Sequence, residues 1–369
     1  MKVLLLSDTH SPHTEKWALG LADLGVTVGL FSFNRAGFEW YRHKNIRVFF
    51  EPPTPINPES TFTKLSYLKY VRLLRKIIRT FEPDILHAHY ATSYGLIGAL
   101  AGFRPFVLSV WGSDVYNFPN RSALHKKVLQ YNIRKADVIL STSRVMKQEI
   151  ARYTDKEVTV TPFGVDVTEF ARKRTGNPDG LIRVGTIKPI REKYGIQYII
   201  EAAELIRSRG VIDRFRFYLI GAGDLEHYSQ LIREKKLEEY FEVTGRVAFS
   251  EVSHYHNILD IFLNVSVEDS ESFGVATVEA MACEKPVIVT DVGGLKEVVN
   301  NGEFGIVIPK KDPHALADAI ERLANDNGYS AELGKRARAH VQRHYNWQHN
   351  LKHMADIYSS LADKKQLAR

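Results

Sequence analysis

Two carboxylates stand eight positions apart in the sequence, Glu271 and Glu279, with Gly274 between them. They follow a short apolar run typical of a buried strand and enter a predicted helix at 273–282. A glycine at this point lets a ligand approach the backbone closely. The pattern predicts a ligand site with Glu271 in the loop before the helix and Glu279 placed to accept two hydroxyl groups. The spacing also fits a solvated helix face with ordinary acids near its start.

The start of that helix supplies an anion-binding chemistry. The first amides of a helix have no partner within it, and the positive end of its dipole favours an anion such as phosphate. The residues that we predict to form this site are Ser272, Phe273, Gly274 and Val275.

A second candidate segment, 184–195, carries cations after the first predicted strand of the C-terminal half. A ligand that carries phosphate groups is strongly negative, and without a metal its charge must be stabilised by lysines and helix dipoles. Lys188 and Lys193 are the candidates for this role, and Gly185 lies in the same segment. A basic solvated loop is the alternative interpretation.

The N-terminal half offers a third group of candidates at the predicted ligand-binding edge. His87 and His89 end one apolar run, Trp111 and Asp114 follow the next, and His13 lies after the first. Hydrogen-bonded structural histidines are the alternative. The H-x-H spacing resembles a zinc site, but no third ligand is evident, so we predict no metal.

The elements that must position these residues follow a simple alternation. Short continuous apolar runs alternate with predicted helices, which is typical of parallel sheets covered on both faces. The sequence therefore predicts an α/β protein with two Rossmann-like, doubly wound domains facing a central cleft, where ligands bind. The predicted boundaries are a first domain at 1–170, a linker at 171–180, a second domain at 181–350 and a helix at 351–369 that returns to the first domain.

Composition and charge indicate where the protein works and what it binds. The chain has 369 residues and one cysteine, Cys283, so no internal disulfide forms and a reducing, cytoplasmic location is expected. Residues 1–170 hold 22 Lys and Arg against 15 Asp and Glu, whereas the remainder is balanced. An amphipathic helix predicted at 63–81 carries much of this excess and indicates peripheral binding to an anionic membrane face. A surface helix packed on the first sheet is the alternative, and no nucleic-acid module is evident.

The second half resembles the retaining glycosyltransferases of family 4, which have the GT-B fold. The segment 271–294 resembles the E-x7-E motif of that family and the residues that trail it. The segments 163–166 (FGVD), 221–224 (GAGD) and 244–247 (TGRV) match further landmarks. The first domain resembles the family more loosely.

The resemblance implies a role for each candidate. Glu271 contacts the donor hexose near the reacting carbon, Glu279 holds the ribose, and Lys193 with Lys188 binds the diphosphate. The reaction then retains anomeric configuration by same-face displacement, in which the leaving phosphate helps to deprotonate the acceptor. The backbone near two further residues faces the base: Arg246 and Val247.

Three features depart from the family pattern: the first loop, 8–15, lacks the paired glycines that relatives usually have near the phosphates, and two single positions also differ. Thr186 stands where many relatives have an arginine, and Trp111 stands where many have a histidine. These departures favour an alternative in which the chain binds a nucleotide sugar without transferring it. A nucleotide-sugar epimerase or hydrolase of the same fold is a further alternative. Gly221 and Gly223 indicate NAD binding only weakly, because Glu226 stands where a third glycine belongs.

The sequence thus predicts a hexosyltransferase that uses a UDP- or GDP-linked sugar and a glycan or lipid-linked acceptor. Bacterial surface polysaccharide assembly is the pathway that the resemblance implies. No D-x-D pair occurs in the chain, so we expect the donor to bind without a metal or other cofactor.

Overall fold

The computed structural model of the chain describes residues 1–34, 42–50, 69–173 and 179–367. It divides into two compact units, of which the first is Met1–Pro162 with Gln348–Arg369 and the second is Phe163–Trp347. Each unit is built on one parallel sheet with helices between the strands.

The first unit contains a seven-stranded sheet in the order β3-β2-β1-β4-β5-β6-β7. Its strands are β1 (Lys2–Leu6), β2 (Thr27–Phe31), β3 (Ile46–Phe50), β4 (Ile85–His89), β5 (Phe106–Val110), β6 (Val138–Ser141) and β7 (Val158–Val160). Its helices are α1 (Pro12–Asp23), α2 (Lys69–Phe81), α3 (Ser93–Ala101), α4 (Ser113–Tyr116), α5 (Ala123–Lys135) and α6 (Arg144–Ile150). The central strands β4 and β5 are buried along their whole length, as expected of a sheet covered on both faces.

The second unit contains a six-stranded sheet in the order β10-β9-β8-β11-β12-β13. Its strands are β8 (Ile182–Ile187), β9 (Phe215–Ile220), β10 (Phe241–Gly245), β11 (Ile261–Asn264), β12 (Val287–Thr290) and β13 (Ile306–Ile308). Its helices are α7 (Ile196–Ser208), α8 (Leu225–Glu234), α9 (Phe249–Ile258), α10 (Val275–Ala282), α11 (Gly293–Val298), α12 (Pro313–Asn325) and α13 (Asn327–His344).

A last helix, α14 (Trp347–Leu367), belongs to the first unit from Gln348 onward. Its buried residues include Met354 and Tyr358. The ammonium of Lys365 donates to the carbonyl oxygens of Pro83 and Asp84, at the start of β4. Packing and hydrogen bonds therefore attach this helix to the first sheet.

The chain passes from the first unit to the second near residue 163, whereas the sequence placed the boundary at 170. The reason is local packing: Phe170 is 2% exposed and its carbonyl accepts from Arg338 of α13. Of the predicted linker 171–180, residues 174–178 lie outside the described part of the chain.

Both sheets reverse their strand order at one point, between β1 and β4 in the first and between β8 and β11 in the second. In open parallel sheets, ligands bind outside the carboxyl ends of the strands at this switch point. The residues that follow these four strands are therefore the ones to examine for function.

Some element boundaries differ from the predicted ones. Helix α10 begins at Val275 rather than at 273, because Gly274 has a φ of 77° and forms its N-cap. The sequence does not predict β3, β7 and β13, which are edge strands and are only partly buried. A polar residue interrupts the apolar run in β3 (IRVFF) and in β7 (VTV), and β13 (IVI) is only three residues long.

Candidate functional site

The second switch point brings together a lysine and a glutamate from different loops. Lys188 follows β8 and Glu271 follows β11, the strand beside it. The ammonium Nζ of Lys188 lies 2.9 Å from Oε2 of Glu271, and the two side chains are 11% and 15% exposed. This pair is thus shielded from solvent and lies where a parallel sheet binds its ligand.

Tyr194 places the two predicted lysines around one ring. The ammonium of Lys188 lies 4.6 Å from the ring centroid and that of Lys193 lies 4.8 Å from it, both within cation–π range. The carbonyl of Lys193 also accepts from the amide of Val267, in the loop after β11. The structure therefore gathers Lys188, Lys193 and Glu271 at one edge of the sheet.

Two glycines hold the Lys188 loop in place. A Cβ on Gly221 would lie 2.0 Å from the carbonyl oxygen of Lys188, and a Cβ on Gly223 would lie 2.2 Å from that of Ile190. Their φ values of 148° and 151° are also disfavoured for other residues. Gly221 and Gly223 are thus required for backbone packing at this site.

A third glycine fixes the loop that carries Glu271. A Cβ on Gly294, at the start of α11, would lie 2.4 Å from the carbonyl oxygen of Glu271 and 2.3 Å from the carbonyl carbon of Ser272. The trailing part of the E-x7-E segment therefore supports its first carboxylate. Ser272 itself is buried at 5% exposure.

The helix start after this loop is more enclosed than the sequence indicated. The ring of Phe273 is 3% exposed and packs edge-on against Phe163 and Tyr345 at 6.0 and 5.3 Å. A Cβ on Gly274 would lie 2.4 Å from Leu295. Because α10 begins at Val275, the amides without intrahelical partners start there.

The second predicted carboxylate, Glu279, lies one turn into α10 and is 8% exposed. Its Oε2 is 3.3 Å from Nε2 of His256, a fully buried residue of α9. The sequence did not indicate His256, whose helix has a mixed polar pattern.

The remaining candidates of this unit lie at other positions. Gly185 lies inside β8, where a Cβ would be 2.7 Å from the carbonyl oxygen of Tyr218, so its glycine is explained by strand packing. Arg246 and Val247 follow β10, which lies two strands from β8. At the usual strand spacing this is about 10 Å from the strand that carries Lys188.

The first switch point carries a chain of buried polar contacts. Ser7, after β1, bonds through its hydroxyl to Thr14 at 2.6 Å and to Nδ1 of His89 at 2.9 Å. His87 bonds to Ser109 at 2.7 Å and to the hydroxyl of Tyr358 at 2.5 Å. Both histidines are thus hydrogen-bonded within the first unit.

Aromatic contacts continue this cluster toward its surface. The ring of Trp111 lies 4.7 Å from that of His89, and the ring of His13 meets Trp111 edge-on at 5.8 Å. Trp111 and His13 are half-buried. The structure therefore brings together four of the five candidates of the N-terminal half.

Burial controls the charge of the two central histidines. Desolvation, assisted by the neighbouring His89, lowers the pKa of His87 well below its usual range. Desolvation, assisted by His13, lowers the pKa of His89 to about 3. Both imidazoles are therefore neutral near pH 7, because a buried site disfavours the charged form.

The fifth candidate, Asp114, binds backbone amides. Its fully buried carboxylate accepts from the amides of Ala91 at 2.7 Å, Gly112 at 2.8 Å and Trp111 at 3.1 Å. Burial raises its pKa, and these hydrogen bonds oppose the rise. Asp114 therefore holds the loops after β4 and β5, including the one that presents Trp111.

Residues that the sequence did not single out also contact these candidates, among them Tyr194, His256 and Tyr358. Tyr194 stands beside Lys193 within the candidate segment 184–195, and an aromatic residue next to a candidate cation was a signal in the sequence. His256 and Tyr358 had no such signal, since each reaches its partner only through tertiary packing. Within the described ranges, no group of three or more His, Cys, Asp or Glu is placed to hold a metal ion.

Solved structures define the class of the fold. Sucrose-phosphate synthase of Thermosynechococcus elongatus superimposes with a TM-score of 0.85 at 20% identity, covering 98% of this chain and 99% of the other. The Anabaena protein HepE, solved with UDP-glucose, superimposes with a TM-score of 0.76 at 20% identity, covering 98% and 100%. The chain has the GT-B architecture, with two Rossmann-like units.

Sequence comparison then gives the family. The model "Glycosyl transferase 4-like" matches residues 2–143 and the model "Glycosyl transferases group 1" matches residues 167–340. Both models describe glycosyltransferases and together they cover most of the chain, which therefore belongs to the glycosyltransferases.

Individual relatives have low sequence identity to this chain. An uncharacterized glycosyltransferase of Methanocaldococcus jannaschii is 29% identical over 82% of this chain and 83% of its own length. The amylovoran biosynthesis glycosyltransferase AmsK of Erwinia amylovora is 26% identical over 77% of this chain and 72% of its own length.

Proposed function

We propose that this glycosyltransferase moves a hexose from a UDP- or GDP-linked sugar to a glycan or lipid-linked acceptor, with retention of configuration and without a metal. The observation that carries the proposal is the shielded contact between Lys188 and Glu271 at the switch point of the second sheet. The ammonium of Lys193 lies 4.8 Å from the centroid of the same tyrosine ring as that of Lys188. Two cations and one carboxylate suit a substrate that combines a diphosphate with a polar sugar.

The cations give the diphosphate a binding site. Ammonium groups in a partly desolvated site interact with phosphate oxygens more strongly than in water. As the sugar departs, negative charge grows on the diphosphate, so Lys188 and Lys193 stabilise the transition state more than the bound substrate. The amides at the start of α10 add partial positive charge.

The carboxylate of Glu271 binds the sugar. In the free protein Glu271 is paired with Lys188, which keeps its carboxylate oriented. When the diphosphate competes for that ammonium, Glu271 accepts hydroxyl groups of the hexose and stabilises positive charge near its C1. Glu279 accepts hydroxyl groups of the ribose.

The transfer itself balances without a further reactant. The bond between C1 and the diphosphate oxygen breaks, and its electron pair leaves with the diphosphate. The acceptor oxygen bonds to C1 on the same face, and its proton passes to the leaving diphosphate. A nucleoside diphosphate and a new glycoside result.

Relatives support the choice of substrates. The titles of the HepE structures state complexes with UDP and with UDP-glucose. AmsK is named for the biosynthesis of amylovoran. These names favour a uridine nucleotide sugar as donor and a growing polysaccharide as acceptor. In such a pathway the protein would work in the cytoplasm.

Transfer is tested with labelled UDP- and GDP-hexoses, a lipid-linked glycan fraction as acceptor, and EDTA throughout. Glu271→Gln should reduce label incorporation at least a hundredfold, because it removes the charge that faces the sugar. Glu332→Gln, an exposed position on α13, is the matched control. Wild-type turnover in Glu271→Gln would contradict the proposed role. Nucleotide binding without transfer by the wild type would favour the non-catalytic binder.

We also propose that α2 docks the protein on an anionic membrane face. The helix buries Val71, Leu74, Ile77 and Phe81 against the first sheet, so its other side carries the cations. Arg75 donates to the carbonyls of Leu100 and Ala101, so its guanidinium is already engaged at the end of α3. The exposed cations that remain are Lys69, Arg72, Lys76 and Arg79. Residues 63–68 of the predicted helix, with Lys64, lie outside the described residues.

This docking is tested by sedimentation with phosphatidylglycerol vesicles. The triple variant R72Q/K76Q/R79Q should release the protein, because each cation near such a surface contributes about 1 kcal/mol. The triple variant K311Q/K335Q/R343Q removes the same charge from exposed positions of the second unit and is the control. Equal binding of both variants would contradict docking through α2. The described helices include none that is both long and apolar enough to cross a bilayer.

A further inference from the structure

We propose that His256 is a positioning residue for the donor site: it holds one carboxylate oxygen of Glu279 and leaves the other directed at the ribose. This inference rests on the proposed function, in which Glu279 binds the nucleotide. Nε2 of His256 lies 3.3 Å from Oε2 of Glu279. Only one oxygen of the carboxylate is engaged in this contact.

The imidazole has little freedom to move. His256 is fully buried on α9, and its ring contacts those of Phe262 at 5.2 Å and Phe170 at 5.9 Å. Both partners are themselves 2% exposed or less. A ring clamped in this way fixes the direction of its N–H group.

The other ring nitrogen identifies the tautomer. Nδ1 of His256 is buried and has no hydrogen-bond partner in the described part of the chain. An N–H on Nδ1 would be left without an acceptor, which is more costly than a lone pair left without a donor. The ring proton therefore belongs on Nε2, where it is donated to Glu279.

Helix α9 is anchored so that His256 stays in register. The side chain of Asn257 donates to the carbonyl of Ala171 at 3.0 Å and accepts from the amide of Lys173 at 2.7 Å. The hydroxyl of Ser253 donates to the carbonyl of Glu169 at 2.8 Å. The carboxylate is thus held by a residue whose own helix is tied to the segment 169–173, as a precise binding site requires.

The test replaces His256 with residues that differ in where they present an N–H. His256→Gln places its amide N–H about where Nε2 lies, His256→Asn places it near Nδ1, and His256→Leu has none. Dissociation constants are measured for UDP and GDP and for their 2′-deoxy analogues. We expect His256→Leu and His256→Asn to weaken binding of the ribonucleotide about tenfold and His256→Gln to restore it.

The deoxy analogues separate positioning from general damage. If His256 acts through the contact of Glu279 with the ribose, its loss should affect the 2′-deoxy nucleotide much less than the ribonucleotide. The KM for the donor should rise while kcat stays within about threefold, since binding rather than chemistry is altered. In a Glu279→Ala background, His256→Leu should add little.

Each outcome decides between the claims. Equal loss for both nucleotides, no rescue by His256→Gln, or unchanged binding in His256→Leu would overturn the positioning role alone. Failure of the wild type to bind UDP or GDP would overturn the proposed function itself. If His256→Leu does not fold, the comparison of His256→Gln with His256→Asn still decides the question.

Discussion

The hydroxyl of Tyr358 lies 2.5 Å from Nδ1 of His87, although 271 positions separate the two residues in sequence. Both side chains are buried in the first unit. The last helix therefore completes the polar network at the end of β4, in addition to covering the sheet.

Removing that hydroxyl should destabilise the first unit. Tyr358→Phe leaves a buried ring nitrogen of His87 without its partner, at a cost of about 1–3 kcal/mol. Urea unfolding measures the change. Tyr131→Phe is the control, because the hydroxyl of this half-buried residue has no hydrogen bond among the described residues. Equal midpoints for the two variants would contradict a structural role for the contact.

The first unit should lose stability in acid because of its histidines. The unfolded chain protonates a histidine near pH 6.5, whereas native His89 binds its proton only near pH 3. Between these values the unfolded state holds more protons, so stability is complete above about pH 6.5 and falls as the pH is lowered toward 3. Each such histidine contributes roughly 1 kcal/mol per pH unit in this window.

This slope is measured by urea unfolding between pH 4 and 8. His89→Gln should reduce it, whereas His349→Gln, at an exposed position of the same unit, should leave it unchanged. His87 should behave like His89, since burial also lowers its pKa. A flat profile for the wild type would show that these imidazoles are protonated in the native state.

Tyr194 should matter for nucleotide binding through its ring alone. Tyr194→Leu removes the cation–π contacts with Lys188 and Lys193, each worth about 0.5–2 kcal/mol, so the ring no longer positions either lysine. We expect the dissociation constant for the nucleoside diphosphate to rise three- to tenfold. Tyr194→Phe keeps the ring and should bind within about twofold of the wild type. Weakening by both substitutions would instead point to the hydroxyl.

Gly221 should be sensitive because of the loop that it meets. Gly221→Ala places a Cβ within 2.0 Å of the Lys188 carbonyl, so the Lys188 loop must shift and nucleotide binding should fall. Gly210→Ala is the matched control, since Gly210 also has a positive φ, of 75°, but meets no atom within 4 Å. The control should cost about 1–2 kcal/mol of stability and leave binding intact. Equal binding by the two variants would contradict the packing role.

The fold was predictable from the sequence because its central strands are buried on both faces. Such strands appear as nearly continuous apolar runs, as in β5 (FVLSV), which is buried along its whole length. Asp312 followed by Pro313 predicts a helix start, and Asp312 does cap α12 by accepting from the amide of Ala315. The edge strand β3 (IRVFF) lacks this signal, since a charged residue interrupts its apolar run.

The sequence indicated the loops that carry the candidate residues, but not the residues that hold those candidates in place. Lys188 and Glu271 follow strands that are distant in sequence, and strand order alone makes them neighbours. His256 and Tyr358 act through tertiary contacts, and nothing in their local pattern indicates which group they will meet. Asp114 was expected at the ligand-facing edge, but its buried carboxylate binds three backbone amides.

The binding of a nucleoside diphosphate sugar by Lys188, Lys193 and Glu271 without a metal underlies each step of the proposed transfer. It is tested most directly by thermal unfolding of the wild type and of K188M/K193M with UDP and GDP, in the presence and in the absence of EDTA. A ligand at 100 times its dissociation constant should stabilise the wild type by about 2.7 kcal/mol. We expect one of the two nucleotides to raise the midpoint of the wild type and to leave that of the double variant almost unchanged. Equal shifts in both proteins, or a shift of the wild type that EDTA abolishes, would contradict this expectation.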